Sequence, residues 1–135
     1  MGFIKRLLGI CRTPLAEAGS WSYENGQIAI DLDRTPELAP LFGAVRLEAK
    51  PLPKRILVFK GADEQFHAVR NRCSHMGRRL DPLPDTRAIQ CCSVSMSAYD
   101  YSGNVMSGPA KTAVEKLPVI QKENRLYISV ASESV

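Results

Sequence analysis

Three thiols and one imidazole gather in the middle of this chain. In "NRCSHMGRRL" Cys73 and His75 stand two positions apart, and in "AIQCCSVSMSAYD" Cys91 and Cys92 are adjacent. Thiolate and imidazole are the usual donors for iron and zinc, so a Cys-x-His pair reads as half of a metal or cluster site. The second half brings thiols but no second histidine. Ser95 and Met96 follow the two cysteines instead. A serine hydroxyl binds iron well only as an alkoxide, and its reach is shorter than that of imidazole by about 2–3 Å. Cys91 is the other candidate for a fourth donor. Adjacent residues of a strand point to opposite faces, so Cys91 and Cys92 are expected to face apart unless the backbone is irregular. Cys91 then reads either as an alternative ligand or as a small buried hydrophobe.

These donors need a scaffold, and the pattern around them is β. "QIAIDL" alternates as a strand should, Ala44 to Leu47 and "RILVF" (55–59) follow, and "GADEQ" turns into "FHAVR" (66–70). "AIQCC" and "SAYDY" are strand-like, "SGN" (102–104) is a turn, and "LPVIQ" with "RLYISV" makes a closing hairpin around "KEN". Short strands with many turns predict an all-β sandwich or small barrel. Residues 73–87 and 92–98 are predicted to be loops, and both carry candidate ligands, an arrangement suited to a site held on a rigid β scaffold. Residues 1–20 are predicted to be a short helical extension, with Phe3, Ile4, Leu7, Leu8 and Cys11 on one face, and 21–135 a single domain. That face either caps the domain or docks on a membrane or partner through residues 1–11; Cys11 reads as packing.

Composition narrows the function. The chain has 135 residues, 44% hydrophobic and 24% charged, enough for one self-sufficient core. A net charge of +4 and no basic run interleaved with aromatics argue against nucleic acid. No stretch approaches the length of a membrane span. Cysteines at 11, 73, 91 and 92 do not resemble a secreted disulfide framework and point to metal or redox chemistry in a reducing, cytoplasmic setting. Two histidines in all leave little for a hydrolytic triad. His67, on the "FHAVR" strand, reads as a surface or satisfied histidine, Trp21 and Tyr23 as core or edge aromatics, and Arg78 and Arg79 as an exposed basic pair or a means of steering an anionic partner.

Cys73-Ser74-His75-Met76-Gly77, then Cys92 and Ser97-Ala98-Tyr99-Asp100, resemble the Rieske [2Fe–2S] domain. That family carries Cys-x-His-x-Gly and, after a gap of similar length, Cys-x-x-His-Gly-x-x-(Tyr/Phe)-Asp. The likeness covers residues 25 to 130, including the hairpin before the first loop and the proline-bearing loop after the second. It implies a Rieske-like antiparallel β-sandwich with a small cluster-binding subdomain formed by two loops at about 71–110. It implies a [2Fe–2S] cofactor with Cys73 and Cys92 on one iron and His75 on the other. The second histidine of the motif falls at Ser95, a doubtful ligand, and the glycine after it at Met96. Ser97 and Tyr99 match residues that hydrogen-bond cluster or ligand sulfur and raise the potential, although Tyr99 can equally be a strand aromatic. Gly108-Pro109 resembles the shielding loop. The disulfide of respiratory-chain members is absent, since Arg78 and Val94 stand where its cysteines would be.

The resemblance implies an electron carrier of the ferredoxin kind, not a stand-alone enzyme, serving a reductase or oxygenase component. Two alternatives stay open. One is a clusterless Rieske-fold accessory module, similar to the small subunit of nitrite reductase. The other is a mononuclear Zn or Fe site built on Cys73, His75 and Cys92, with water or Cys91 as fourth ligand.

Overall fold

The computed structural model describes Ile4, residues 10–75 and residues 77–130. Among these, twelve strands form three four-stranded antiparallel sheets. The first runs β1 (Trp21–Glu24), β2 (Gln27–Asp31), β12 (Arg125–Ser129), β11 (Val119–Lys122). The second runs β10 (Lys116–Leu117), β5 (Phe66–Arg70), β4 (Ile56–Lys60), β3 (Ala44–Leu47). The third, the smaller platform for the site, runs β6 (Leu80–Leu83), β7 (Ala88–Cys91), β8 (Ala98–Asp100), β9 (Val105–Ser107). The all-β, antiparallel architecture expected from the sequence is the one observed.

Strand β4 shows how one run of apolar residues joins the layers. Ile56 and Val58 point into a core shared with Ile28, Ile30, Val45, Leu126 and Ile128. Leu57 and Phe59, on the opposite face, point into a second core with Leu80, Ile89, Cys91 and Tyr99. A strand buried on both faces loses the alternation of polar and apolar residues, which is why "ILVF" reads as a continuous apolar run. The β1–β2 hairpin turns on Asn25-Gly26, both at positive φ, as a two-residue turn of matching twist requires. Trp21 and Tyr23 lie on edge strand β1, partly buried against the first core.

One expectation is corrected. Residues 73–87 are not loop throughout, because β6 occupies Leu80–Leu83 and pairs Leu80 with Cys91 and Pro82 with Ile89. Pro82 hid it. A proline cannot donate to a ladder and is tolerated here because β6 pairs with one neighbour only. Of the helical extension expected over residues 1–20, residues 1–3 and 5–9 lie outside the described residues; Ile4 is helical, and residues 10–20 carry a 3-10 turn at Ala18–Ser20 and bridge Leu15 to Arg46 in parallel.

Candidate functional site

Two loops at one end of the third sheet carry the candidate donors. The first spans residues 71–79 between β5 and β6, and the second residues 92–97 between β7 and β8. The first is closed on itself, with Cys73 N donating to Arg78 O (2.7 Å) and Gly77 N to Cys73 O (2.8 Å). The Arg55 guanidinium reaches Asn71 O (2.9 Å) and Gly77 O (2.8 Å), and Asn71 Oδ1 accepts from Leu80 N (2.7 Å). The second loop closes through Cys91 N to Ser97 O (2.8 Å) and is tied to the first by Cys92 N to Arg79 O (3.0 Å). Met96 sits at φ +52, so the backbone keeps a glycine-like conformation although the residue is not glycine.

Inside this frame lies a buried group of sulfur and hydroxyl. Cys73 is fully buried, with its Sγ 3.2 Å from the Tyr99 hydroxyl. Cys91, 1% exposed, belongs to the same core, and Cys73 is among the groups hydrogen-bonded to its thiol. From Cys91 a chain runs outward, Sγ to Ser93 Oγ (3.0 Å) and Ser93 Oγ to Ser95 Oγ (2.8 Å). Burial pushes the Cys91 thiol pKa up and Cys73 adds to that, against the pull of Ser93. Without a metal it is therefore a thiol, and binding one would release its proton. Tyr99 is pushed up to about 12, mainly by burial and then by Cys73, so its hydroxyl stays a donor.

The phenol proton has a constrained destination. Ser74 N donates to the phenol oxygen (3.2 Å), and the Ser74 hydroxyl gives its own proton to Thr112 O (2.6 Å). The phenol can then donate to Ser74 Oγ (3.0 Å) or to Cys73 Sγ (3.2 Å). A thiolate at Cys73 would draw the proton, since charge-assisted bonds are the stronger ones.

The remaining candidates fall elsewhere. His75 is exposed in the turn that follows Cys73. Ser97 is buried, but its Oγ accepts from Ala110 N (3.1 Å) and so holds the proline-bearing loop instead of a sulfur. At Gly108 a Cβ would fall 2.5 Å from Ser97 Cα, so that loop lies directly on the second. His67 is satisfied between Asp63 (2.9 Å) and Lys116 Nζ (2.6 Å) and stacked on Phe59. Arg79 binds Glu48 (2.6 Å), while Arg78 is exposed.

Cys92 departs most from expectation. Adjacent residues do face apart, but Cys91 is the one turned toward Cys73. Cys92, 2% exposed, is joined by a disulfide to Cys11, with Cα atoms 5.4 Å apart. Cys11 is thus a disulfide partner and not merely packing, and the grouping of Cys73, His75 and Cys92 proposed for a mononuclear metal is not assembled. Sequence reasoning missed Asp81 altogether. Its carboxylate accepts from Arg12 N (2.8 Å) and from Thr13 N (3.1 Å), fastening the N-terminal segment beside that bond. No sequence signal links positions 81 residues apart.

Comparison with known proteins identifies the scaffold that carries this site. Residues 35–118 match the family model described as the Rieske [2Fe-2S] domain. The chain is 31% identical over 101 residues to the 3-phenylpropionate/cinnamic acid dioxygenase ferredoxin subunit of Photorhabdus laumondii, covering 73% of this chain and 92% of that one. The fold resembles the ferredoxin of carbazole 1,9a-dioxygenase from Nocardioides aromaticivorans, with a TM-score of 0.62 at 17% identity over 76% of this chain and 95% of that chain. It also resembles a chain from the complex of reduced oxygenase and oxidized ferredoxin in carbazole 1,9a-dioxygenase, with a TM-score of 0.66 at 16% identity, over 83% of this chain and 100% of that chain.

Proposed function

This chain belongs to the Rieske [2Fe–2S] domain family, and from that premise we propose that it is a ferredoxin-type electron-transfer component with an altered ligand set. The observation that carries the reading is the buried Cys73–Cys91 thiol pair, with the Tyr99 hydroxyl on the sulfur of Cys73. Two buried thiols and a histidine in the next turn are the donor types such a cluster takes, and they would supply three of its four ligands. Cys73 and Cys91 would supply the thiolates and His75 the imidazole. Ser95, joined through Ser93 to the Cys91 sulfur, is the candidate for the fourth place.

When bound, a [2Fe–2S] group supplies one-electron chemistry. The chain's own part is to hold and tune it. Tyr99 donates toward sulfur, which favours the reduced, more negative state. The loop around Gly108, latched by Ser97, excludes water from one side. Val94 and Met96 leave apolar side chains exposed at the tip of the second loop, where a protein partner can dock. We read that partner as an oxygenase or reductase component and the setting as cytoplasmic, in line with a relative that is a dioxygenase ferredoxin subunit. Among the described residues no helix is long and apolar enough to cross a membrane. Residues 21–135 are read as one domain.

A clusterless accessory module remains the second reading, and the disulfide at Cys92 together with the hydroxyl at Ser95 is what favours it. Iron and acid-labile sulfide content, with the EPR spectrum of the reduced protein purified without oxygen, decides between them. Two irons and two sulfides per chain are expected. A folded, iron-free protein that also fails to load on reconstitution would overturn the electron-carrier reading.

A further inference from the structure

The cysteines of this chain form two pairs on opposite faces of one strand end. Cys91, the last residue of β7, faces inward with Cys73, while Cys92 faces outward and is bonded to Cys11. We propose that Cys11 and Cys92 are a reversible thiol–disulfide site whose closed form withholds Cys92 from the metal-binding side of the second loop. The withholding, though not the thiol–disulfide site itself, rests on the reading given above.

The surroundings suit a bond that opens and closes. Cys92 is buried, whereas Cys11 is half-buried and lies toward solvent. A cleft of about 140 Å³, lined by Arg12, Asp81, Gln90, Cys91 and Cys92 among others, opens beside Cys92. Cys11, the more exposed of the two, offers the sulfur that an incoming dithiol attacks, and Cys92 is the leaving thiolate. The exchange balances without another reagent. The first thiolate of the dithiol bonds to Cys11 Sγ as the Cys11–Cys92 bond breaks, and its second thiol then displaces Cys11. The dithiol loses two electrons and two protons and becomes a disulfide, and Cys11 and Cys92 become thiols.

Re-closure is favoured because the segment is fastened independently of the sulfurs. Arg12 N and the Thr13 N and Oγ all donate to the Asp81 carboxylate. Ala16 N donates to Arg46 O (3.0 Å), and Arg46 N to Pro14 O (2.9 Å). Cys11 is thus held beside Cys92 after reduction, and the effective concentration of one thiol at the other stays high. Residue 92 belongs to the loop that carries Ser95, and closure engages its sulfur in the bond to Cys11.

The test uses the full chain in dithiothreitol buffers of graded poise, trapped with N-ethylmaleimide and mapped by mass spectrometry. In oxidising buffer Cys11 and Cys92 are expected as a linked peptide that takes no label. Under native reduction both take label and return to the linked form on re-oxidation, in at least nine chains of ten. Labelled Cys92 throughout oxidising buffer, or a bond opened only by denaturant, overturns the proposal. A Cys11→Ser variant supplies the second arm. Its Cys92 is expected to be labelled in every buffer and, after loading with iron and sulfide, its EPR spectrum is expected to differ from that of the closed parent. Identical spectra from the two overturn the withholding. Failure of both proteins to take up iron ends the cluster reading and with it the withholding, while the labelling pattern alone still decides the thiol–disulfide site.

Discussion

The Tyr99 hydroxyl lies 3.2 Å from Cys73 Sγ across 26 residues of chain, and it is the contact that joins the second loop's strand to the first loop's thiol. Removing it isolates one effect. In Tyr99→Phe the ring packing stays while Ser74 N loses an acceptor and Cys73 a donor. A loss of about 1–2 kcal/mol in denaturant unfolding is expected, as for a buried hydrogen-bonding group left unpaired. In the iron-loaded protein the reduction potential should fall, read by potentiometric titration. An unchanged potential would mean that the phenol proton stays on Ser74 Oγ.

The two adjacent cysteines should behave oppositely. Cys91→Ala removes half of the inward thiol pair and is expected to abolish iron uptake. Cys92→Ala removes only the outward sulfur and is expected to retain most of it. Iron per chain after reconstitution, with circular dichroism as a control for folding, reads the difference. The reverse pattern would place the metal on Cys92.

A histidine at position 95 tests the ligand set. Ser95→His with Met96→Gly offers an imidazole where a hydroxyl now bonds Ser93, on a backbone already at φ +52. Coordination by a second histidine should raise the potential, on the order of a hundred millivolts or more. Met96→Gly alone should stabilise the protein by about 0.5–1 kcal/mol, because the left-handed conformation costs a residue with a Cβ more than glycine loses in chain entropy. A thermal melt checks that part without any metal.

Acid sensitivity should come from His67. Burial, and then the charge of Lys116, hold its pKa below its ordinary value of 6.5, against the hydrogen bond to Asp63. The neutral ring donates through Nε2 to Asp63 and accepts from Lys116 at Nδ1. The unfolded chain takes up a proton near pH 6.5 and the folded chain only at lower pH, so stability falls as pH drops through that interval. Asp63, held below its ordinary value by His67 despite burial, extends the loss to lower pH. Denaturant midpoints at pH 7.5 and 5 should converge in His67→Gln. An equal drop in parent and variant would assign the sensitivity to other groups.

The sandwich was legible because its signals are local. Alternation in "QIAID", the apolar run of β4 and the Asn25-Gly26 turn each follow from residues near one another in the chain. β6 was not legible, because Pro82 and Pro84 argue against a strand and only its single pairing with β7 allows one. His67 could be placed on a strand from its neighbours, but not its partners Asp63 and Lys116, which reach it through a turn and a cross-strand approach.

The amino-acid sequence by itself determined the kind of protein this is: a β scaffold with a Cys-x-His loop, a second thiol-bearing loop and no histidine at position 95, since donor types and spacings are properties of the chain. The tertiary structure decided which sulfurs meet. Whether Cys91 or Cys92 faces Cys73 depends on the phase of β7 against β6 and β8, and a shift of one residue exchanges the two faces. Cys11 reaches Cys92 on a segment whose backbone, at Arg12 and Thr13, donates to the Asp81 carboxylate of the third sheet. Contacts 68 to 81 residues apart have no local signature, because they are fixed by how layers pack and not by how neighbours in the chain prefer to fold.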